Sequence, residues 1–338
     1  MRDNAHNARI QPDDNFVRNF HRSCRIVDAH CDILVTLRET NCCLNEERTG
    51  GHLDLPRLVR GGVKVLFFAA FVRPYLPGGY LKRALELAAT FYRETENNHD
   101  FLVPVFAWED LLLALEQGKT ASILTVEGGA VLEGSIEVLH MLHHIGVRGL
   151  TLTWNYRNAL GDGIAERDSR GGLTKFGKVV VREMNRLRMV VDVAHLSPAG
   201  FWDVLETSSA PVIASHCNSF QICPHPRNLS DEQVRAIAAA GGVIGVTFVP
   251  AFVCSTNPSL ERVLDHIDHI VEVGGVDCVG LGSDFEGFDG FLPGLEDVTR
   301  LPHLTESLLK RGYAQHEVRK IMGDNFLRVL EEVLPASR

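Results

Sequence analysis

Residues 189–217 read MVVDVAHLSPAGFWDVLETSSAPVIASHC, and their reading decides the fold. The stretch opens on a nearly continuous apolar run, 189–194, of the kind needed by a strand buried on both faces. The run ends at His195, and Ser197-Pro198 then starts a helix. A hydroxyl side chain can cap the first turn, and proline suits the first helical position because its missing N–H would be unpaired there anyway. Apolar residues at helical spacing continue through 198–206, and a second apolar run, 212–215, ends at His216. Strand, helix and strand within about 30 residues make a βαβ unit. Each of its strands ends in a histidine.

The same alternation extends in both directions. Apolar runs at 26–29, 63–72, 122–126, 149–153, 243–249 and 278–282 are separated by segments of helical spacing at 80–97, 109–117, 135–145, 174–187, 231–240 and 259–273. Ser230 before Asp231-Glu232 is another start signal, because acidic groups suit a helix N-terminus. Eight strands alternating with helices, without a Pro/Ser-rich linker, predict a single-domain α/β fold, a (β/α)8 TIM-type barrel over 25–335, with residues 1–24 as an N-terminal extension packed on it. A doubly wound open sheet is the runner-up, but neither a GxGxxG turn nor a GxxxxGK[ST] loop is present. The uncharged stretch 236–254 is long enough to suggest a membrane span. Gly241, Gly242, Gly245 and Pro250 divide it, so it reads as a helix end, a turn and a buried strand.

Composition narrows the function classes. The 338 residues are 45% hydrophobic and 23% charged, which excludes a disordered or low-complexity chain. Lys and Arg number 34 against 43 Asp and Glu, a net charge of -9, so no basic excess exists to neutralise nucleic acid or an anionic membrane face. Eight cysteines without a CxxC pair suggest neither a disulfide scaffold nor a zinc ribbon. The opening MRDNAHNARIQPDDN lacks the charged-then-apolar pattern of a signal peptide, and RVLEEVLPASR is no lipid-anchor tail, so the expected location is cytoplasmic.

In such a barrel the chemistry lies at the C-terminal ends of the strands. The first run leads into Ala29-His30-Cys31-Asp32, the third into Glu127-Gly128-Gly129, the fifth into His195, the sixth into His216 and the eighth into Ser283-Asp284. His30 and Asp32 are two apart in an extended segment and so point to one side. Any one of these residues alone has an ordinary structural explanation. Together, imidazoles and carboxylates at one mouth suit zinc or a related divalent ion, and Glu127 has two oxygens with which to bridge a pair. His140, His143 and His144, and His266 with His269, fall inside predicted helices and are read as surface or packing residues. Cys31 is the one cysteine placed within the expected site.

With these residues in view, the chain resembles the membrane (renal) dipeptidase family, peptidase family M19, of the amidohydrolase-like metal barrels. The resemblance rests on VDAHCDIL, LTVEGG, GVRGLTLTWN, LTKFGKVVVREMNRLRMVVDVAHLS, PVIASHCNS, PRNLSDEQV and DHIDHIVEVGGVDCVGLGSDFEGF followed by GLEDV, an ordered series covering nearly the whole chain. It implies a binuclear zinc dipeptidase with two Zn2+ per chain, using a metal-bridging hydroxide on dipeptides with a free C-terminal carboxylate, L-Xaa-D-Xaa substrates included. It further implies that His30 and Asp32 bind one ion, that Glu127 bridges and that His195 and His216 hold the second. Asp284 then matches the proton-transfer residue and Arg227 the partner of the substrate carboxylate. Where the family has a histidine after the fourth strand, this chain has Thr153-Trp154-Asn155. Trp154 and Asn155 are therefore expected at the substrate, as a pocket wall and an amide donor. Cys223 and Cys254 resemble a disulfide pair of secreted members and are expected here as thiols. An amidohydrolase for an N-acyl amino acid, lactam or other small amide is the alternative. A non-catalytic barrel would predict damaged ligands, and none is found. The sequence leaves the oligomeric state open; a homodimer would be unsurprising, closed two-fold assemblies being the commonest kind.

Overall fold

The computed structural model describes residues 14–74 and 79–336. Among the described residues nine strands run in chain order: β1 (Ile26–Cys31), β2 (Val63–Phe71), β3 (Leu102–Pro104), β4 (Thr120–Glu127), β5 (Val147–Thr151), β6 (Val190–Asp192), β7 (Ile213–Ala214), β8 (Val243–Val246) and β9 (Val279–Leu281). All pairings are parallel, and contacts of β2 with β1 and β4 and of β1 with β9 close eight strands into a barrel. The closed (β/α)8 barrel is the architecture the apolar runs predict. The ninth strand, β3, was not anticipated. It pairs with the first three residues of β4 and is too short to stand out as an apolar run.

Alternation along the strands separates two cores. Leu66 and Phe68 of β2 and Leu124 and Val126 of β4 pack with helix residues such as Leu87, Phe91, Leu139 and Val180. Val65 and Phe67, and Ala121 and Ile123, share a second cluster with Phe326 and Leu330 of the helix Asn325–Val333. Successive side chains of a strand point to opposite faces, so β2 and β4 each feed both clusters. Helices occupy the intervals expected of them, among them Tyr80–Asn97, Lys175–Arg186, Pro198–Thr207 and Leu260–Gly274. Ser197 and Ser230 both accept a backbone N–H as N-caps. The stretch that raised a membrane span is the end of helix Asp231–Ala239, a turn, β8 and the short helix Pro250–Val253. No helix among the described residues is long and apolar enough to cross a membrane.

Of the expected N-terminal extension, residues 1–13 lie outside the described residues. The helix Asp14–Ser23 buries Val17, Phe20 and His21, whose Nδ1 lies 2.8 Å from Thr305 Oγ1.

His266, one of the helix histidines set aside above, is fully buried, with Nε2 2.9 Å from the carbonyl of Val253 and Nδ1 accepting from the Ser219 N–H at 3.1 Å. Burial lowers its pKa to about 4. Between pH 6.5 and 4 the unfolded chain takes up a proton that the fold refuses, so stability is full above 6.5 and falls as the pH drops toward 4. The loss is roughly 3 kcal/mol. Urea midpoints of wild type and His266→Gln at pH 7 and 4.5 are expected to show a shallower pH dependence in the variant.

Candidate metal centre

Six side chains converge at the C-terminal ends of the strands. β1 carries His30, with Asp32 just beyond it; β4 ends on Glu127; His195 and His216 follow β6 and β7; Asp284 follows β9. All six are buried. Glu127 lies at the centre. Its Oε1 is 2.8 Å from His195 Nε2 and 3.6 Å from His216 Nε2, whereas its Oε2 is 3.6 Å from His30 Nε2. His30 Nε2 is also 3.8 Å from Asp32 Oδ2 and 3.9 Å from Asp284 Oδ1. Ligand atoms of His30, Glu127 and His216 lie within 4.8 Å of one another, as do those of His30, Asp32 and Asp284.

The backbone is shaped for this convergence. His195, Asp284 and Glu286 have left-handed φ angles of 67°, 63° and 69°, a conformation non-glycine residues adopt at a cost and that persists where surrounding contacts enforce it. Gly287 leaves the room: a Cβ there would stand 2.1 Å from Asp284 Oδ1 and 2.5 Å from Asp32 Oδ2. Glu286 faces the other way. Its Oε1 accepts from Arg48 Nη2 at 2.6 Å and from the N–H groups of His52 and Leu53 at 2.7 and 3.0 Å, and its Oε2 accepts from Thr36 Oγ1 at 3.0 Å. One carboxylate thus fixes the rim segment 48–53 two residues from Asp284.

The electrostatics are those of a site built around positive charge. Burial pushes the Asp284 carboxyl well above the usual range, and Asp32 and Glu127 add to the shift against the pull of His30. Burial likewise raises Asp32, reinforced by Glu127. Burial would raise Glu127 too, but His30 and His195 outweigh it and hold it below the ordinary carboxylate value. Burial, with Arg227 nearby, lowers His195 to about 3, and burial with His30 lowers His216 well below its ordinary value, leaving both as neutral imidazoles. His30 Nε2 and Asp32 Oδ1 are buried without a hydrogen-bond partner. Orphaned buried polar atoms are costly unless a ligand completes them. Neutral imidazoles, carboxylates and orphaned atoms facing one space fit divalent cations.

The remaining expected site residues separate. Arg227 is only 6% exposed; its Nη1 is 3.6 Å from Cys217 Sγ, its Nη2 is 3.4 Å from the carbonyl of His216, and its Nε has no partner. It shares with His195 a cavity of about 480 Å³, otherwise walled largely by Ile164, Leu196, Phe201 and Phe220. Trp154 stands beside the site, its ring 6.0 Å from His195 and 5.4 Å from Phe71. Asn155 Oδ1 is 2.7 Å from His195 Nδ1, so its amide is directed at the imidazole. Cys31, expected within the site, instead turns its thiol to the carbonyl of Phe67 at 3.3 Å and packs in the core, because it alternates with His30 and Asp32. Two buried carboxylates were missed. Asp28 Oδ2 accepts from Ser283 Oγ, and Asp192 Oδ2 from Ser215 Oγ, both at 2.6 Å.

A closed parallel barrel with such a cluster at its mouth defines a metal-dependent barrel hydrolase. The family model for membrane dipeptidases, peptidase family M19, matches residues 14–338, and the chain belongs to that family. It is 35% identical over 298 residues to dipeptidase tcpJ of Claviceps purpurea, covering 84% of this chain and 69% of that one. Among solved structures it is similar to dipeptidase AC, an M19 metallopeptidase, with a TM-score of 0.85, 30% identity and coverage of 93% of this chain and 100% of that one. It is also similar to a metallopeptidase from Rhodobacter sphaeroides liganded with a phosphinate mimic of L-Ala-D-Ala, with a TM-score of 0.85, 29% identity and coverage of 92% and 99%. The chain is a metal-dependent dipeptidase.

Proposed function

We propose that the protein is a binuclear zinc dipeptidase acting on dipeptides with a free C-terminal carboxylate, L-Xaa-D-Xaa substrates included. The observation that carries this reading is the division of Glu127, with one oxygen toward His195 and His216 and the other toward His30. His30, Asp32 and Glu127 would hold one ion, and Glu127, His195 and His216 the other. Zinc in these positions supplies Lewis acidity, lowering the pKa of a water and polarising the scissile carbonyl.

The chain's own groups do the rest. Asp284, buried beside His30, accepts at its carboxylate the proton given up by the attacking water and passes it to the nitrogen of the departing amine, which leaves poorly as an anion. Arg227 receives the substrate carboxylate. A buried guanidinium that forms no ion pair among the described residues is costly, and a bidentate carboxylate relieves that cost. The apolar walls around it seat the residue that leaves. Trp154, its ring 6.0 Å from that of His195, walls the pocket and keeps water from the reacting bond. The D-configured substrates are supported by the L-Ala-D-Ala mimic bound to the Rhodobacter relative.

Metal analysis with a panel of L,L and L,D dipeptides and their C-terminal amides tests the reading. About two zinc per chain with cleavage of free dipeptides is expected; turnover of amides alone, or no bound metal in zinc-supplemented protein, would refute it. In the same panel, Arg227→Met is expected to raise KM for free dipeptides roughly 10- to 100-fold, the worth of a charged hydrogen bond, and to narrow their advantage over the amides.

A further inference from the structure

The site contains a buried carboxylate that touches none of the proposed ligands directly. Asp192, at the end of β6, is 5% exposed and is saturated with hydrogen bonds. Its Oδ1 accepts from the N–H groups of Ala194 at 3.0 Å and Ser215 at 2.9 Å. Its Oδ2 accepts from Ser215 Oγ and from Thr151 Oγ1, each at 2.6 Å. Asp192 therefore ties together β5, its own strand and β7. Ser215 Oγ in turn lies 2.8 Å from His216 Nδ1.

Proton counting gives this chain of contacts a direction. A serine hydroxyl has one proton to donate, and a short bond to a buried carboxylate is the stronger place for it. With that proton on the Asp192 side, Ser215 Oγ can only accept from His216, so Nδ1 carries the imidazole hydrogen. Nε2 is then left with its lone pair, pointing at His195 Nε2 at 2.8 Å and Glu127 Oε1 at 3.6 Å. The order is carboxylate, hydroxyl, imidazole, ligand space.

We infer that Asp192, acting through Ser215, is a positioning residue that fixes the tautomer and ring direction of His216 and thereby sets the affinity of the His195/His216 half of the centre. The inference rests on the proposed ligand assignment. A partner on the far nitrogen of a metal-binding histidine typically changes metal affinity 10- to 100-fold. The neighbouring His195 has its own partner in Asn155. On the opposite side of the mouth, Asp28 grips Ser283, the residue before Asp284, through both its N–H and its Oγ; of these two carboxylate–serine grips, the one at Asp192 is the one that continues to an imidazole.

The test compares wild type, Ser215→Ala, Ser215→Thr and Asp192→Asn as full-length chains. Zinc affinity is measured by chelator competition, cobalt-loaded protein is followed by its visible absorption, and the melting temperature of the metal-free form is recorded. Ser215→Ala is expected to weaken one zinc step roughly 10- to 100-fold and alter the cobalt spectrum, with the other step and the metal-free melting temperature retained. Ser215→Thr, which keeps the hydroxyl, should restore both. Asp192→Asn should weaken the same step. Wild-type zinc affinity in Ser215→Ala would overturn the inference. So would a metal-free melting temperature that falls in Ser215→Ala with both zinc steps weakened alike, since that is the mark of a purely structural contact. If wild type itself holds a single zinc, the two-ion reading fails, and the grip is judged by whether Ser215→Ala weakens that one affinity.

Discussion

Glu127→Gln is expected to reduce dipeptide hydrolysis to background and to leave at most about one zinc per chain, because a bridging group counts twice in a two-ion site. The substitution preserves size and shape, so lost packing does not enter the comparison. What changes is the charge: the amide offers one oxygen where the carboxylate offers two, and its NH2 would face either His30 or the His195/His216 pair. Either orientation places donors where lone pairs are required. Metal analysis by mass spectrometry, run beside turnover, checks the result; two tightly held zinc ions in the variant would contradict the bridging role.

Asp284→Asn is expected to separate metal binding from chemistry. Its carboxyl lies 3.9 Å from His30 Nε2 and is assigned no ligand role, so zinc content should stay near the wild-type value. The amide cannot accept a proton from water at neutral pH or hand one to an amine. Loss of such a group typically costs 10²- to 10⁴-fold in kcat. Steady-state kinetics with the free dipeptide should show the fall in kcat with KM changed far less, since Arg227 and the apolar walls remain. A fall confined to KM would assign Asp284 to substrate binding instead.

Much of this organisation is legible along the chain. The eight apolar runs are the barrel strands because parallel strands buried on both faces cannot alternate with polar residues, and the groups that end them form the cluster because strand ends share one face of a barrel. What stayed hidden had weaker local signals. β3 has three residues and ends on Pro104, too little for any period. Asp28 and Asp192 look like ordinary polar residues until their strands are paired, since Ser283 and Ser215 reach them only across the sheet. A signal was nonetheless present: Val-Asp precedes His30 and His195 by similar spacings, and a serine directly precedes both His216 and Asp284. Arg227 could be picked out only through resemblance, because a lone arginine in a loop usually makes a surface ion pair. Asn155 was expected to face substrate, and its contact with His195 depends on a loop geometry that no pattern in residues 153–158 encodes.

The grip of Glu286 divides the rim of the active site into two kinds of territory. Segment 48–53 is bolted to a residue that shares its turn with Asp284, so redesigning that part of the rim disturbs the footing of the proposed proton carrier. The wall beside Arg227, with Ile164, Arg167 and Phe220, makes no hydrogen bond to Asp284 or Glu286 among the described residues. Changes of substrate range are therefore expected more readily in the side chains of that wall than on the Glu286 side.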